Sequence, residues 1–203
     1  MKKVCGYLFL FLAVFGSVAH AADPAKELEA AVEASLDVVF APDSEGLTAS
    51  EKQTKIRDIL EHRYDLTVLI RRAMGRNWAL LSSDEQTKVV ELIKQLVLKA
   101  FINNMSGRSR PEITFGETVN ITDNRIEIPS TVVLDGNTFN VLYRLGRLKS
   151  GWEIYDIVAE NISVVSNYRQ QLDDHFRKGT GAELISKLEE LLQKDDIGNE
   201  IKI

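Results

Sequence analysis

Residues 151–169 read GWEIYDIVAENISVVSNYR, and the hydrophobic period of the chain changes inside this segment. Up to Ala159 the residue types and their alternation predict a β-strand. From Ser163 onward, apolar residues recur every three to four positions, as on one face of a helix, and Ser163 is a suitable N-cap. We therefore predict a strand that leads into a helix. Its two faces should carry Trp152, Ile154, Asp156 and Val158 on one side and Glu153, Tyr155 and Ile157 on the other.

The segment upstream of the strands, residues 24–106, has the hydrophobic spacing of a series of helices. An amphipathic stripe begins it, a capping-box pattern at Thr48 opens a second helix, and Asp65 is the N-cap of a short third one. Another capping-box pattern, Ser83 to Gln86, opens the longest predicted helix. This part of the chain should therefore be mainly helical.

Residues 112–160 alternate as strands do and are divided by turn residues. The Asp135-Gly136 pair is a strong hairpin signal, and Pro129 indicates an edge strand or a bulge. Four consecutive antiparallel strands follow from this pattern. With C-terminal helices predicted over residues 163–193, the fold class is α+β: N-terminal helices, a four-stranded curved antiparallel sheet, and C-terminal helices packed on it.

Residues 1–21 are typical of an export signal peptide, with a basic start, a short apolar run and small residues at the end. The apolar run is shorter than the ~20 residues that a membrane-spanning helix needs. We predict cleavage after Ala21, a single domain over residues 22–203, and a periplasmic location. Cys5, the only cysteine, lies before the apolar run, so the mature chain would have no thiol or disulfide chemistry.

Charge and missing motifs exclude several classes of function. The chain has 25 basic and 30 acidic residues, and this net charge of −5 argues against nucleic acid or an anionic membrane surface as a standing partner. Beyond the leader the histidines are His62 and His175, which have no metal-binding spacing, and neither a phosphate loop nor a dinucleotide fingerprint occurs. We expect no metal and no cofactor.

A small periplasmic hydrolase is one alternative. Asp173, Asp174 and His175 could form a catalytic triad with Ser163 or Ser166. Neither serine, however, lies in the G-x-S-x-G turn that presents the nucleophile in α/β-hydrolases. A helix with solvated acids and one surface histidine explains the same residues, and we favour that interpretation.

The run GWEIYDIVAENISVVSNYRQQLDDHF resembles the signature of the toluene-tolerance (MlaC) family. A second match lies upstream, in YDL at residues 64–66, AMGRNW at 73–78 and SDEQ at 83–86. The two blocks have the order and spacing of the family, and with the sheet between them they cover nearly all the chain beyond the leader. One departure is Asn161, where the family usually has glycine, which could change the turn that enters the helix.

The resemblance implies a periplasmic carrier that moves single phospholipids between the two membranes of a Gram-negative envelope and maintains outer-membrane lipid asymmetry. Its partners would be an inner-membrane ABC transporter complex with an MCE-type substrate-binding subunit and an outer-membrane lipoprotein complex. Neither enzymatic activity nor a cofactor is implied, and the bound phospholipid would be the cargo. A chaperone-like module for unfolded or lipidated proteins is a further alternative.

From composition alone, an ordinary core between sheet and helices explains the apolar faces of the predicted strands. The resemblance favours an apolar cavity between sheet and helices instead, with branched and aromatic walls and no buried charge. The residues that we expect to contact acyl chains are Leu69, Ile102, Met105, Ile128, Val132, Phe139, Val141, Tyr143, Ile154 and Ile162.

Arginines could contact a lipid headgroup or an acidic partner surface. Arg71, Arg72 and Arg76 form a basic cluster, and Arg108 and Arg110 form another. Solvated arginines on an acidic protein are the alternative. We predict that the first cluster contacts a partner or the headgroup.

We predict a structural role for two further parts of the signature. Asp156 stands at the aspartate of the family, and Tyr168-Arg169 matches its Tyr-Arg pair. We predict a buried contact between Asp156 and an arginine that holds the strand to the helix, with no catalytic role.

Overall fold

The computed structural model describes residues 23–194 and Ile203, and within them the chain forms six α-helices and six β-strands. The predicted leader lies outside the described residues. None of the described helices is both long and apolar enough to cross a membrane. The helices are α1 (Pro24–Phe40), α2 (Ala49–Glu61), α3 (Leu66–Met74), α4 (Ser83–Met105), α5 (Val164–Phe176) and α6 (Gly181–Gln193), with short 3-10 turns at Pro42–Ser44 and Gly75–Leu80.

The strands form one antiparallel sheet in the order β1-β3-β4-β5-β6, with β2 also paired to β3. The predicted α+β fold is confirmed, but the sheet has six strands rather than four. The predicted first strand is divided into β1 and β2, which both pair with β3, and a two-residue β6 adds a last pairing. The strands are β1 (Glu112–Phe115), β2 (Val119–Thr122), β3 (Arg125–Leu134), β4 (Asn137–Leu148), β5 (Gly151–Ala159) and β6 (Ile162–Ser163).

A bulge in β5 changes which of its side chains share a face. Leu145 of β4 pairs with Ile154, and the residue before it pairs with Asp156, so Tyr155 is the extra residue. Ile154 and Ile157 therefore both pack in the apolar core, while Asp156 lies on the opposite face. The predicted face assignment is wrong beyond Ile154, because alternation counted along a sequence does not reveal an inserted residue.

Buried apolar residues form three clusters. The helical core joins α3, α4, α5 and α6 and contains the fully buried Leu96 and Leu184. The sheet core joins α1 to the strands and contains the fully buried Ile128 and Leu145. A small third cluster lies between α2 and α4. Each buried leucine or isoleucine stabilises the fold by about 1.5–3 kcal/mol, so these clusters provide most of the driving force.

Strand β5 holds helices α3 and α5 through two buried carboxylates. Glu153 accepts a hydrogen bond from the backbone N–H of Asp65, the N-cap of α3, at 2.7 Å. Asp156 accepts one from the backbone N–H of Val165, in the first turn of α5, at 3.2 Å. N–H groups at a helix start lack partners within the helix and carry partial positive charge, so a carboxylate there is stabilising. The strand therefore sets the position of both helices.

The predicted contact between Asp156 and an arginine is present, but the arginine lies on the sheet. Arg144 of β4 donates to Asp156 at 3.3 Å and to Glu127 at 2.9 Å. The side-chain link from β5 to the helix start is made by Ser163, whose Oγ donates to Asp156 at 2.8 Å. Ser163 is also the N-cap of α5, as predicted, and accepts from the N–H of Ser166 at 3.0 Å.

Arg169, from the Tyr-Arg pair, contacts the end of α3 rather than Asp156. Its guanidinium donates to the backbone carbonyl of Arg72, in the last turn of α3, where a cation is favoured by the helix dipole. The next turn begins at Gly75, which has φ 54° and ψ −130°. A Cβ there would lie 3.2 Å from Arg169 Nε, so glycine suits this position both for its backbone and for its small size.

The capping box of α4 lies one residue earlier than predicted. Ser82, rather than Ser83, is the N-cap and accepts from the N–H of Glu85 at 3.3 Å, while the Glu85 carboxylate accepts from the N–H of Ser82 at 2.8 Å. The sequence contains both Ser-x-x-Glu and Ser-x-x-Gln in overlap, and a carboxylate accepts more strongly than an amide. The charged pair therefore forms the cap.

Asn161 lies in the turn between β5 and β6, with φ 65°. This is the left-handed region, which glycine takes freely and asparagine tolerates better than most other residues. Asparagine therefore supports a left-handed turn at the position where the family usually has glycine.

Candidate ligand-binding cavity

A cavity of about 300 Å³ lies between helices α1, α2 and α4 and strands β1, β3 and β4. None of its lining residues is acidic or basic, and most are aliphatic or aromatic. An apolar ligand could be enclosed here without a charge having to be desolvated. The lining residues are Val32, Ser35, Leu36, Ile56, Leu60, Val97, Leu98, Phe101, Met105, Pro111, Ile113, Val132, Leu134 and Tyr143.

The two hydroxyl groups of the wall have partners within the protein. Ser35 Oγ donates to the backbone carbonyl of Ala31, one helical turn earlier, at 2.7 Å. Burial raises the pKa of the Tyr143 phenol, and a hydrogen bond with Ser130 offsets part of that rise. Tyr143 therefore stays neutral at physiological pH. Its ring lies 6.0 Å from that of Phe115.

Ion pairs connect segments that contribute to the wall of the cavity. Arg110, just before β1, contacts Glu33 and Asp37 of α1, each at 2.7 Å, and Arg108 is 3.3 Å from Asp135 of the β3–β4 hairpin. These residues lie close in sequence to lining positions in all three segments. The hydrogen bond with Glu33 is the main cause of a raised pKa of Arg110. Because the pairs are partly exposed, each contributes at most about 1 kcal/mol.

A second, smaller gap of about 70 Å³ lies in the helical core next to the cavity. Val97 of α4 lines both spaces and is 48% exposed. Helix α4 therefore faces a roomy cavity on one side and a closely packed core on the other.

The predicted acyl-chain contacts do not all lie in one place. Met105, Val132 and Tyr143 line the cavity. Leu69 lines the smaller gap in the helical core, and Val141 lines a shallow groove on the sheet. The structure therefore brings three of the predicted residues together around one space.

The remaining predicted contacts lie elsewhere. Ile128 and Ile154 are buried in the sheet core, and Ile102 is buried between α2 and α4. Phe139 and Ile162 are exposed, at 40% and 63%. As ligand contacts, all of these residues stay predictions.

The sequence analysis missed the wall that α1 and α2 contribute. Val32, Leu36, Ile56 and Leu60 all line the cavity and fall at helical spacing in their segments. The helical spacing of these apolar residues was visible in the sequence and could have indicated them as candidates. A stripe shows only that a helix has an apolar face, however, and not whether that face meets a packed core or open space.

The predicted arginine cluster lies away from the cavity. Arg71 and Arg72 are exposed, with their guanidinium groups 5.2 and 4.7 Å from the ring centres of Trp78 and Tyr155. Arg76 forms a 3.4 Å ion pair with a carboxylate of α5. None of these arginines lines the cavity, and their role in contacting a partner or a headgroup stays a prediction.

The triad residues do not form a hydrolase site in the described structure. His175 is buried rather than on the surface, because its ring packs against the turn into α6. Its Nε2 is 3.0 Å from the carbonyl oxygen of Thr180, and its Nδ1 is 3.3 Å from Lys187 Nζ. Ser163 Oγ donates to Asp156 instead. Both ring nitrogens are thus engaged by groups other than a serine.

Comparison with known proteins identifies the family. A family model described as MlaC protein matches residues 29–190. The solved structure of a phospholipid-binding protein from Ralstonia solanacearum, in complex with a phospholipid, has a TM-score of 0.74 and 22% identity over 85% of this chain and 100% of that chain, a likeness of fold. No curated protein sequence matches significantly. The family match runs from α1 to α6 and includes both walls of the cavity, and the chain therefore belongs to the MlaC family.

Proposed function

We propose that this protein binds phospholipid and carries it through the periplasm, with the acyl chains in the cavity between the helices and the sheet. The observation that carries the proposal is an uncharged apolar cavity of about 300 Å³ in a chain of the MlaC family. Further support comes from the Ralstonia solanacearum protein of similar fold, which is described as a phospholipid-binding protein in complex with a phospholipid.

The energetics of acyl chains explain why such a carrier needs partners. Enclosing a methylene shields roughly 0.8 kcal/mol of hydrophobic free energy from water, so two chains of ~15 methylenes amount to about 20 kcal/mol. A ligand held this strongly against water does not dissociate into it. Transfer from the cavity to another apolar site is close to neutral, however, and the lipid should move only when the carrier is docked.

The partners that we propose are those that membership of the MlaC family implies. The carrier would exchange lipid with an inner-membrane ABC transporter complex that has an MCE-type subunit and with an outer-membrane lipoprotein complex, and would so maintain outer-membrane lipid asymmetry. Residues 1–21 would direct its export. The carrier itself would perform no catalysis and need no cofactor, since the phospholipid is cargo.

The headgroup would lie at the rim of the cavity. A charged phosphate is not stable among apolar walls, because an unpaired buried charge costs several kcal/mol. Arg108 and Arg110 lie just before the lining residue Pro111, and either would offer a phosphate a bidentate contact in exchange for its carboxylate partner.

Two neighbouring valines test the proposal. Val132 lines the cavity, whereas Val133 points to the other face of the sheet and is 37% exposed. We expect Val132→Trp to fill the cavity and expel lipid, and Val133→Trp to leave the lipid in place. Native mass spectrometry and lipid extraction of both variants, purified from the periplasm, measure the bound phospholipid.

The outcomes separate the candidate functions. A diacyl phospholipid mass on the unmodified protein and on Val133→Trp, lost in Val132→Trp, supports the carrier. Bound peptide in place of lipid would support the chaperone-like alternative. Equal lipid content in both folded variants would show that the cavity does not hold the ligand.

A further inference from the structure

A second surface combines cations with aromatic rings. Three arginines, contributed by α3 and the start of β3, lie with their guanidinium groups over a tryptophan and a tyrosine ring. A cation over an aromatic face is attracted by the ring quadrupole, and the contact restrains the long side chain. We call this surface the arginine–aromatic patch, and its members are Arg71, Arg72, Arg125, Trp78 and Tyr155.

The members of the patch are contiguous. Arg72 and Arg125 share one ring, that of Tyr155, at 4.7 and 5.9 Å from its centre. Arg72 also borders a depression of about 380 Å³ together with Arg71, and Leu148 forms part of the same depression. Leu148 shares its face of β4 with Gly146, which lies against the Tyr155 ring. Arg71 and Arg72 therefore border the recess, and Arg125 adjoins it through the ring that it shares with Arg72.

The positive charge of the patch is not neutralised within the described part of the chain. Eight other basic side chains form ion pairs with carboxylates there, but none of the three patch arginines does. All three are exposed. Asp65 borders the recess, but its carboxylate accepts from the N–H of Thr67 as a helix cap. On a chain with a net charge of −5, the patch is thus a local site of opposite sign.

Apolar groups accompany these charges. Leu148 is 51% exposed, and Trp78 lines the recess beside it. Arginine, tryptophan and tyrosine are the residue types that dominate the energetic centres of protein interfaces, where lysine is depleted. The composition of the patch is therefore that of a protein-binding surface.

We propose that the arginine–aromatic patch is a docking site for a protein partner that presents carboxylate side chains. A guanidinium group matches a carboxylate with two parallel hydrogen bonds, and three such groups held over rings are already ordered before the partner arrives. The exposed Leu148 and the half-buried Trp78 then bury apolar area in the centre of the contact. This inference goes beyond the proposed function, because it does not depend on what the cavity holds.

A protein partner fits the patch better than an anionic membrane. Attraction to a lipid surface requires only positive charge and uses lysine and arginine alike. The patch instead relies on arginine placed against rings, and the acidic remainder of the molecule would be repelled by an anionic bilayer. Shape and charge together therefore favour a protein with an acidic projection that enters the recess.

Within the sheet, the patch and the cavity lie on opposite faces, since Arg125 and the lining residue Val132 occupy alternate positions of β3. No residue lines both the recess and the cavity. In the register of β3 and β4, Arg125 pairs with Gly146, whereas Leu134, which lines the cavity, pairs with Asn137. Strand rise places these two residue pairs roughly 30 Å apart, and Tyr143, the lining residue of β4, points to the face opposite Arg125. Changes to the patch should therefore leave bound lipid in place.

Site-specific photocrosslinking in the native host tests the proposal. The full chain is made with p-benzoylphenylalanine in place of Leu148 and irradiated in intact cells. Three versions are compared: the otherwise unchanged chain, Arg72→Glu with Arg125→Glu, and a control with Arg177→Glu and Lys178→Glu, which makes the same charge change at exposed positions outside the patch.

We expect a covalent adduct to a protein, joined at a segment rich in aspartate or glutamate. The adduct should fall about tenfold in the patch variant and be unchanged in the control, since charge reversal acts mainly on association. Lipid content of the purified patch variant should equal that of the unmodified chain. If the reversal lowers the melting temperature by more than about 5 °C, the neutral pair Arg72→Gln with Arg125→Gln replaces it in the comparison.

Four results would overturn the proposal: no protein adduct, an adduct that is insensitive to the patch variants, an adduct only to a second copy of this chain, or crosslinks to phospholipid alone. The last would indicate a membrane surface instead. None of these results concerns the lipid content measured for Val132→Trp, so failure of the docking site and failure of the carrier function are distinguishable.

Discussion

Helix α4 borders two apolar regions that differ in how they are filled. On one side the helical core packs Leu96 and Leu184 to zero exposure, with a gap of about 70 Å³. On the other side Val97 and Met105 line a cavity of about 300 Å³. Both regions draw on the same residue types, so composition does not distinguish them.

The difference lies in what opposes each wall. The helical core is closed by α5 and α6, whose side chains interdigitate with those of α4, as protein interiors normally do. The cavity is bounded by the α1–α2 pair and by strands whose side chains do not meet across the space. An apolar wall becomes a binding site when the opposite wall is held at a distance.

The largest loss of stability should come from a substitution in the helical core. Leu184→Ala removes a fully buried side chain of α6 and leaves a void, so we expect a loss of about 2–5 kcal/mol in the free energy of unfolding. The melting temperature should fall by about 5–15 °C. Circular dichroism melts measure the loss, and native mass spectrometry should find unchanged lipid in the folded fraction. A loss below about 1 kcal/mol would mean that this region is as loosely filled as the cavity.

A smaller loss of stability should follow from weakening the hydrogen bonds that join strand β5 to α5 and β4. Asp156 joins β5 to α5 through Ser163 and Val165 and to β4 through Arg144. Asp156→Asn replaces a buried acceptor of several hydrogen bonds, and we expect a loss of about 2–4 kcal/mol. Chemical denaturation of this variant beside Asp174→Asn, a change to an exposed acid of α5, measures the difference. Equal stability of the two variants would contradict the assigned role.

Removal of the Tyr64 hydroxyl should leave the free energy of unfolding nearly unchanged or increase it slightly. Tyr64 is 2% exposed in the sheet core, and its hydroxyl has no hydrogen-bond partner among the described residues. Burial raises the pKa of this phenol, so it stays protonated at physiological pH. Because an unpaired buried hydroxyl is unfavourable, Tyr64→Phe should be neutral or stabilising by up to about 1 kcal/mol. A clear loss of stability in the melting curve would show that the hydroxyl is bonded.

The smallest effect on stability should come from the cavity wall. Val97→Ala exchanges a half-exposed residue for a better helix former, so the free energy of unfolding should change by less than about 0.5 kcal/mol. Lost contact with an acyl chain should still speed lipid release to acceptor vesicles about fivefold. Val119→Ala, similarly exposed on β2, is the matched control and should release lipid at the original rate. Equal rates of lipid release by the two variants would show that Val97 does not contact the ligand.

The sequence allowed the α+β class, the helix starts at Thr48 and Asp65 and the β3–β4 turn at Asp135-Gly136 to be predicted, because caps and turns are local. Cavity residues were predicted less well. Val132, Tyr143 and Met105 line the space, but Phe139 and Ile162 are exposed and Ile128 is packed. Whether an apolar side chain meets a neighbour or a cavity depends on the distance between elements far apart in sequence. Local pattern contains no information about that distance.

The bulge in β5 also determines where this strand can lose a residue without rearrangement. Since Tyr155 has no cross-strand partner, deleting it would leave Ile154 and Asp156 opposite their present partners, and every side chain of the strand would keep its face. A deletion farther from the bulge would invert the faces of the residues on one side of it and turn Asp156 or an isoleucine the wrong way. Related chains should therefore gain or lose a residue at this point more readily than elsewhere in the strand. A chain without it would lack the ring that Arg72 and Arg125 share, so the length of this strand and the arginine–aromatic patch should vary together in evolution.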